Sequence, residues 1–246
     1  MSLSGFIGIH ASEPLIENSE TPNHPVGALA VTPDGRAFRY AKAGGAALVV
    51  GQLQIQADLT ANHEDIVFAI VGAVGDKSVS VTLGATAVAA NEYDGGYLTI
   101  IDGDGEAYNH LITKHGASAA GGEDITVYIN PGLQVATALL STVTLVRNPY
   151  SGIEAATGGT QTDLPAGVAL RAVTADYFCW VQTGGIASVL TSGTNAPTAG
   201  EPCTIGEAND GSVSGRNADT EPNVGIACTG VNPTAAEHNP YFLTMD

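Results

Sequence analysis

The residue types that could do chemistry sit in a few short stretches of the 246-residue chain. His63-Glu64-Asp65 places an imidazole beside two carboxylates, yet it lacks the two-histidine spacing that puts both ligands of a zinc protease on one helix face. In Gly211-Ser212-Val213-Ser214-Gly215, Val213 stands where a nucleophile elbow needs serine. No glycine-rich phosphate loop with a lysine is present. His110 and His115 flank one β-run with Lys114 beside them; they read as exposed strand-end histidines, with a metal site as the rival reading. Asp102-Gly103-Asp104-Gly105-Glu106 offers three carboxylates to Ca²⁺, but lacks the glycine position and the distal glutamate of an EF-hand loop. A glycosidase pair would need two of the 25 acidic residues brought together by the fold. Cys179, Cys203 and Cys228 are far apart and form no Cys-x-x-Cys pair, so neither a zinc site nor a disulfide framework is indicated, and buried free thiols are expected. No catalytic, cofactor or metal residue is therefore assigned, and the chain is expected not to be an enzyme. Arg36, Arg39 and Lys42 place three of the eight basic residues within seven positions. They are the candidate interface residues, against the plainer reading of a solvated strand face.

The elements that would carry these residues are short β-runs closed by Gly, Asn, Asp and Pro. Gln52 to Gln56 and Ser78 to Leu83 alternate polar and apolar, as half-buried strands do. Ile125 to Ile129 stops at Asn130-Pro131-Gly132, and Thr142 to Val146 stops near Asn148-Pro149. Tyr97 to Ile101 and Ala107 to Ile112 flank the acidic Gly-rich stretch as a hairpin, since glycine accepts positive φ and Asp tolerates it. Helical candidates are weak: Gln134 to Leu140, and the Ala-rich Ala85 to Tyr93. The fold class is all-β, a β-sandwich or β-barrel built from modules with short hairpins and little helix.

Composition narrows the partners. Twenty-five acidic against eight basic residues give a formal charge of −17. Phosphate backbones and anionic membranes are bound by excess Lys and Arg, so neither nucleic acid nor membrane is an expected partner. The plain role of such charge is solubility. The longest apolar stretch, Ile66 to Val74, is too short for a spanning helix of about twenty residues. Met1 to Ile16 lacks the basic n-region of a secretory signal, and synthesis in the cytoplasm is expected.

The chain also echoes itself. A shift of 140 residues places Pro25, Gly27, Phe38, Gly44, Gly45, Ala47 and Val49 on Pro165, Gly167, Phe178, Gly184, Gly185, Ala187 and Val189, with Tyr40 facing Trp180. This reads as a duplicated strand, turn, strand element in which Gly-Gly lets the chain turn before the next apolar run. Similar β-modules would then occupy the two ends, around a middle section from about Thr60 to Asn148. Divided in two, the chain gives a β-rich domain 1–150, with an N-terminal arm and a hairpin-rich middle, and a second β-module 151–246. Thr157 to Thr162 is the best linker.

Ala85 to Tyr93 running into Gly95-Gly96-Tyr97-Leu98, then Asp102 to Glu106 and Lys114-His115, resembles a recurrent segment of tailed-bacteriophage virion proteins. So do Val143 to Tyr150, the Gly27 to Gly45 region with Thr32-Pro33-Asp34-Gly35-Arg36, and Tyr177 to Gln182. The resemblance covers most of the chain and is structural, not catalytic. It implies a virion structural protein, a capsid decoration or cement protein on the outside of a shell built from HK97-like major capsid subunits. The major capsid protein would be its partner, as a homo-oligomer, with a trimer suiting quasi-threefold positions. The alternative is a head-fibre or receptor- or carbohydrate-binding module using Tyr177, Trp180, Tyr241 and Phe242 as stacking platforms.

Overall fold

The computed structural model describes residues 7–8, 12–119, 121–159, 163–229 and 237–246. It is all-β, with 41% strand against 3% helix. The described helices are one turn, Glu13–Ile16, and a 3-10 turn, Ala61–His63. In chain order the strands are β1 Ile7–Gly8, β2 Leu29–Val31, β3 Ala37–Ala43, β4 Leu53–Ile55, β5 Ile66–Val67, β6 Ser78–Thr82, β7 Tyr97–Asp102, β8 Asn109–His115 and β9 Asp124–Asn130. They continue with β10 Thr142–Val146, β11 Ser151–Ala155, β12 Pro165–Ala169, β13 Phe178–Leu190, β14 Pro202–Ile205, β15 Val213–Gly215, β16 Gly225–Ala227 and β17 His238–Thr244.

The compact units divide the chain otherwise than at 150/151. Residues 1–57 and 149–246 form one unit, and 58–148 forms the other as a contiguous insertion. The physical reason is strand pairing: β3 from the N-terminal stretch pairs with both β11 and β13, so the two ends of the chain share one sheet. The middle section expected from about Thr60 to Asn148 coincides with the second unit. Of the expected linker, 160–162 lies outside the described residues.

In the unit of the two ends, β3, β11, β4, β12 and β13 follow one another by hydrogen bonding, and the β3–β13 ladder closes them into a ring. The ring is filled by small side chains, with Ala41, Ala43, Ala166, Ala169 and Cys179 beside Ile153 and Val181. Leu48 and Val173 belong to the same cluster, and Tyr150 and Tyr177 pack against it. The duplicated element has a geometric meaning here. Tyr40 lies directly opposite Trp180, and Ala41 opposite Cys179 as Arg39 is opposite Val181, so the 140-residue shift exchanges the two strands about a local two-fold. Tyr40 and Trp180 pack edge to face at 5.0 Å with Phe38 and Ala30 around them. The copies then diverge. After Gly44-Gly45 the chain leaves the sheet, whereas Gly184-Gly185 stays inside the continuous β13 as a bulge, with Gly185 at φ +80°. There β13 exchanges its partner β3 for β17, and β16, β14 and β15 extend the sheet beyond.

The N-terminal segment is pinned from Ser12 onward. Ser19 and Phe178 exchange backbone hydrogen bonds, and the Tyr40 hydroxyl donates to Glu17 at 2.9 Å while accepting the Asn23 N–H at 3.0 Å. Residues 1–6 and 9–11 of the expected arm lie outside the described residues.

The 58–148 unit is a six-strand sheet in the order β5, β10, β7, β8, β9, β6. A bridge from Phe68 to Val81, with the Ala69 N–H on the Ser80 carbonyl at 2.9 Å, joins its two edges. The period-2 patterns supply the core: Val79 and Val81, Leu98 and Ile100, Ile125, Val127 and Ile129, Val143 and Leu145 all point inward. The hairpin over 97–112 forms as β7 and β8, with Gly103 and Gly105 at positive φ. The helical candidates 85–93 and 134–140 are turns and bends.

Candidate functional site

Arg36, Arg39 and Lys42 are placed along β3 and its entry, and each has an acid in its own unit. Arg36 Nε reaches Asp34 at 2.8 Å, and Lys42 Nζ lies 3.6 Å from Asp176. Arg39 donates through Nε and Nη2 to Asp246 at 3.0 and 2.8 Å and through Nη1 to the Gly27 carbonyl at 2.9 Å, with its guanidinium over the Tyr150 ring. Strand alternation also sends Arg39 to the opposite face from Arg36 and Lys42. The cluster in sequence is thus three separate neutral pairs, not one basic patch.

Most groups with catalytic or ligand potential are likewise engaged, the exceptions being His110 Nε2, buried without a hydrogen-bond partner, and the exposed Cys228. His63, His110 and His115 are buried in the 58–148 unit, so the two histidines of β8 are not the exposed strand-end groups expected: both face its core. His63 Nε2 lies 3.0 Å from the Thr86 carbonyl, which only accepts, so Nε2 carries the proton and Nδ1 accepts from the Tyr93 hydroxyl at 2.7 Å. By the same logic His115 Nδ1 donates to the Gly116 carbonyl at 2.7 Å and Nε2 accepts the Tyr93 N–H at 2.9 Å. A bulge between Ile112 and Lys114 turns His115 to the same buried side as His110, at the other end of β8. His110 Nδ1 donates to the Pro131 carbonyl at 3.1 Å. Burial holds the His115 imidazole below its usual value against the raising effects of the Gly116 carbonyl, Glu92 and Asp94. Ser212 and Ser214 are buried and donate to the backbone carbonyls of Asn209 and Thr194. Asp102 accepts the N–H of Gly103 at 2.8 Å. Among the described residues no three His, Cys, Asp or Glu side chains converge as metal ligands. Cys179 and Cys203 are buried free thiols whose pKa burial pushes up to about 12; Cys228, expected buried too, is exposed. Of the four candidate stacking aromatics, Trp180 and Tyr241 are buried, Tyr177 is half-buried against the ring core, and Phe242 is exposed.

The surface that stands out is apolar and lies at one end of the 58–148 unit. After Phe68 closes the sheet, the chain continues over 69–76 beside the segment 131–141. Thr137 and Gly72 bind each other twice, N–H to carbonyl at 2.9 Å and N–H to hydroxyl at 3.0 Å. Gly75 donates to the Leu133 carbonyl and Leu133 to the Asp76 carbonyl. Gly72 approaches the other segment closely: a Cβ there would lie 2.4 Å from Leu133 Cδ1, so a larger residue would displace that side chain. Leu133, Thr137 and Ser141 are buried and hold this scaffold in place. Their neighbours point outward: Ile70 is 65% exposed, Val74 66% and Leu140 86%, with Val71, Val135 and Leu139 also exposed. Residues 66–75 and 125–146 contain no Asp, Glu, Lys or Arg, on a chain of −17. Exposed, backbone-fixed aliphatic groups of this density make this end the candidate site. The signal for it was the apolar run Ile66 to Val74, far longer than the two-residue strand β5 that uses it.

No protein-family model, curated protein or solved structure matches the chain.

Proposed function

We propose that this protein is an adhesive structural component, a capsid decoration protein of a tailed phage that binds the outside of the assembled shell and stabilises it, without catalysis. The observation that carries the reading is the exposed aliphatic end of the 58–148 unit. A contact there excludes water from Ile70, Val74 and Leu140 and needs no reacting group. The resemblance of residues 85–115 and 143–150 to virion proteins supports the assignment of that contact to a major capsid protein, with virion localisation and a homo-oligomeric state. A ligand that binds only the assembled shell shifts its equilibrium away from disassembly by mass action.

The experiment is co-sedimentation of the purified full chain with expanded shells of the major capsid protein of the same phage, together with copy counting in purified particles. Binding at copy numbers comparable to the capsid subunit, lost in Leu140→Asp, supports the reading. A few copies per particle would favour a fibre or receptor-binding part, and failure to bind shells at all would overturn it.

A further inference from the structure

A second uncharged surface lies in the other unit, where β13 runs on past its bulge. Ile186 pairs with Phe242, Phe242 with Ile226, and Ile226 with Pro202, so four adjacent strands carry one apolar row across the sheet. All four side chains are exposed, while their strand neighbours Ala187, Tyr241, Leu243 and Ala227 face the core. Segments 184–190, 225–227, 238–244 and 202–205 contain no Asp, Glu, Lys or Arg. The charged groups stand at its margins: Arg36 packs by Gly185 on one side, and Arg216 and Asp219 line a pocket with Pro202 on the other, where Glu201 precedes it.

We propose that this sheet face is a self-association surface on which a second copy of the same chain packs face to face. The occupant follows from charge. At −17 per chain, two copies repel wherever their acidic surfaces approach, and a basic partner gains nothing from a face with no charge to pair. A two-fold places this face against its own copy with no like charges in contact, and two sheet faces pack at about 10 Å as in a sandwich. One flat face meeting itself is an isologous contact that closes as a dimer, not a trimer. With strands about 4.8 Å apart and about 3.3 Å per residue, the footprint is on the order of 400 Å² in projection. That is below the roughly 800 Å² per partner of a standard interface, so the pair is weak and concentration-dependent.

The test is sedimentation equilibrium of the full chain, without shells, from about 10 µM to 1 mM. Its result is therefore independent of whether the protein binds a capsid. The expected result is a mass rising from monomer toward dimer, and rising further at higher salt as the −17 repulsion is screened. Phe242→Glu should hold the mass at monomer, and Leu140→Asp should leave the rise unchanged. Cys228 shares the exposed face with Ile226 and lies opposite Pro240. In the unaltered chain its maleimide labelling should therefore slow several-fold as concentration rises, a readout that needs no substitution. A monomer at all concentrations, a trimer, or a rise abolished by Leu140→Asp but not by Phe242→Glu would each overturn the proposal.

Discussion

At the residue scale, the aliphatic end can be tested with little confounding by stability. Leu140 makes so little contact with its own chain that Leu140→Asp should change the folding free energy by no more than about 0.5 kcal/mol. Shell binding should nonetheless fall at least tenfold, as a carboxylate is buried in an apolar contact. Unchanged binding, measured beside an unchanged urea midpoint, would remove this surface from consideration. His115 behaves in the opposite way. Both ring nitrogens are used, and the Tyr93 N–H has no other acceptor in reach, so His115→Ala should cost roughly 2–4 kcal/mol through an unpaired donor and a cavity. The pH dependence follows from the same contacts. The folded-state pKa of His115 is depressed, so the unfolded chain takes up the proton first. The stabilisation is fully present above the unfolded value of about 6.5 and is lost as pH falls from there through the folded value. Urea midpoints between pH 8 and pH 5 should therefore drop in the wild type and drop less in His115→Gln.

At the element scale, ring closure in the unit of the two ends depends on a glycine. Gly167 sits at φ +146°, where a Cβ would lie 2.8 Å from the Val181 side chain. Gly167→Ala should destabilise that unit by about 1–3 kcal/mol and leave the 58–148 unit untouched, as followed by the near-UV signal of Trp180, the chain's one tryptophan. The elements also show where the sequence was legible. β6, β9, β10 and the 97–112 hairpin were readable because one face of each is wet, so polar and apolar residues must alternate. β4 was expected to be half-buried, but all three of its residues are buried, since Leu53 and Ile55 pack on the far side from the ring core, with Val189, Ile205 and Val213. The buried Gln54 donates through Nε2 to the Gln52 carbonyl at 2.9 Å, while its Oε1 has no hydrogen-bond partner. The candidate site was not legible for a related reason. Hydropathy assigns Ile66 to Val74 to an interior, and only the tertiary positions of Leu133 and Thr137 turn Ile70 and Val74 outward. The three basic residues read as a cluster because sequence shows their spacing, whereas their partners Asp176 and Asp246 come from far along the chain.

At the scale of the whole molecule, the insertion architecture allows the two units to be separated. The 58–148 unit is one contiguous segment with its own core from Ile66 to Leu145, so expressed alone it should fold and unfold in a single urea transition. Where the segment leaves the other unit, Ala57 Cβ lies 3.6 Å from the position a Cβ would take at Gly152, so a short Gly-Ser bridge can join 57 to 149. The bridged protein should keep the Trp180 signal and lose shell binding; retained binding would move the contact off the 58–148 unit. Energetics give the contact a second requirement. Six half-exposed aliphatic side chains, each gaining about 1 kcal/mol on burial, yield about 6 kcal/mol, comparable with the roughly 4–15 kcal/mol that association costs. A single contact of this kind is weak, and paired copies gripping a repeating lattice would hold far better than one.

The ladder between β3 and β13 joins residues 140 apart in sequence, and that separation dictates a schedule during synthesis. The inserted segment has all its partners once residue 148 has cleared the ribosome, while the strands before it have only local pairings such as β2–β3 and must wait for β11 to β13 to be translated before the ring can close. Nascent chains stalled shortly after full exposure of residue 148 should accordingly carry a protease-resistant middle and a digestible N-terminal stretch. Resistance should spread to residues 29–55 once Leu190 emerges.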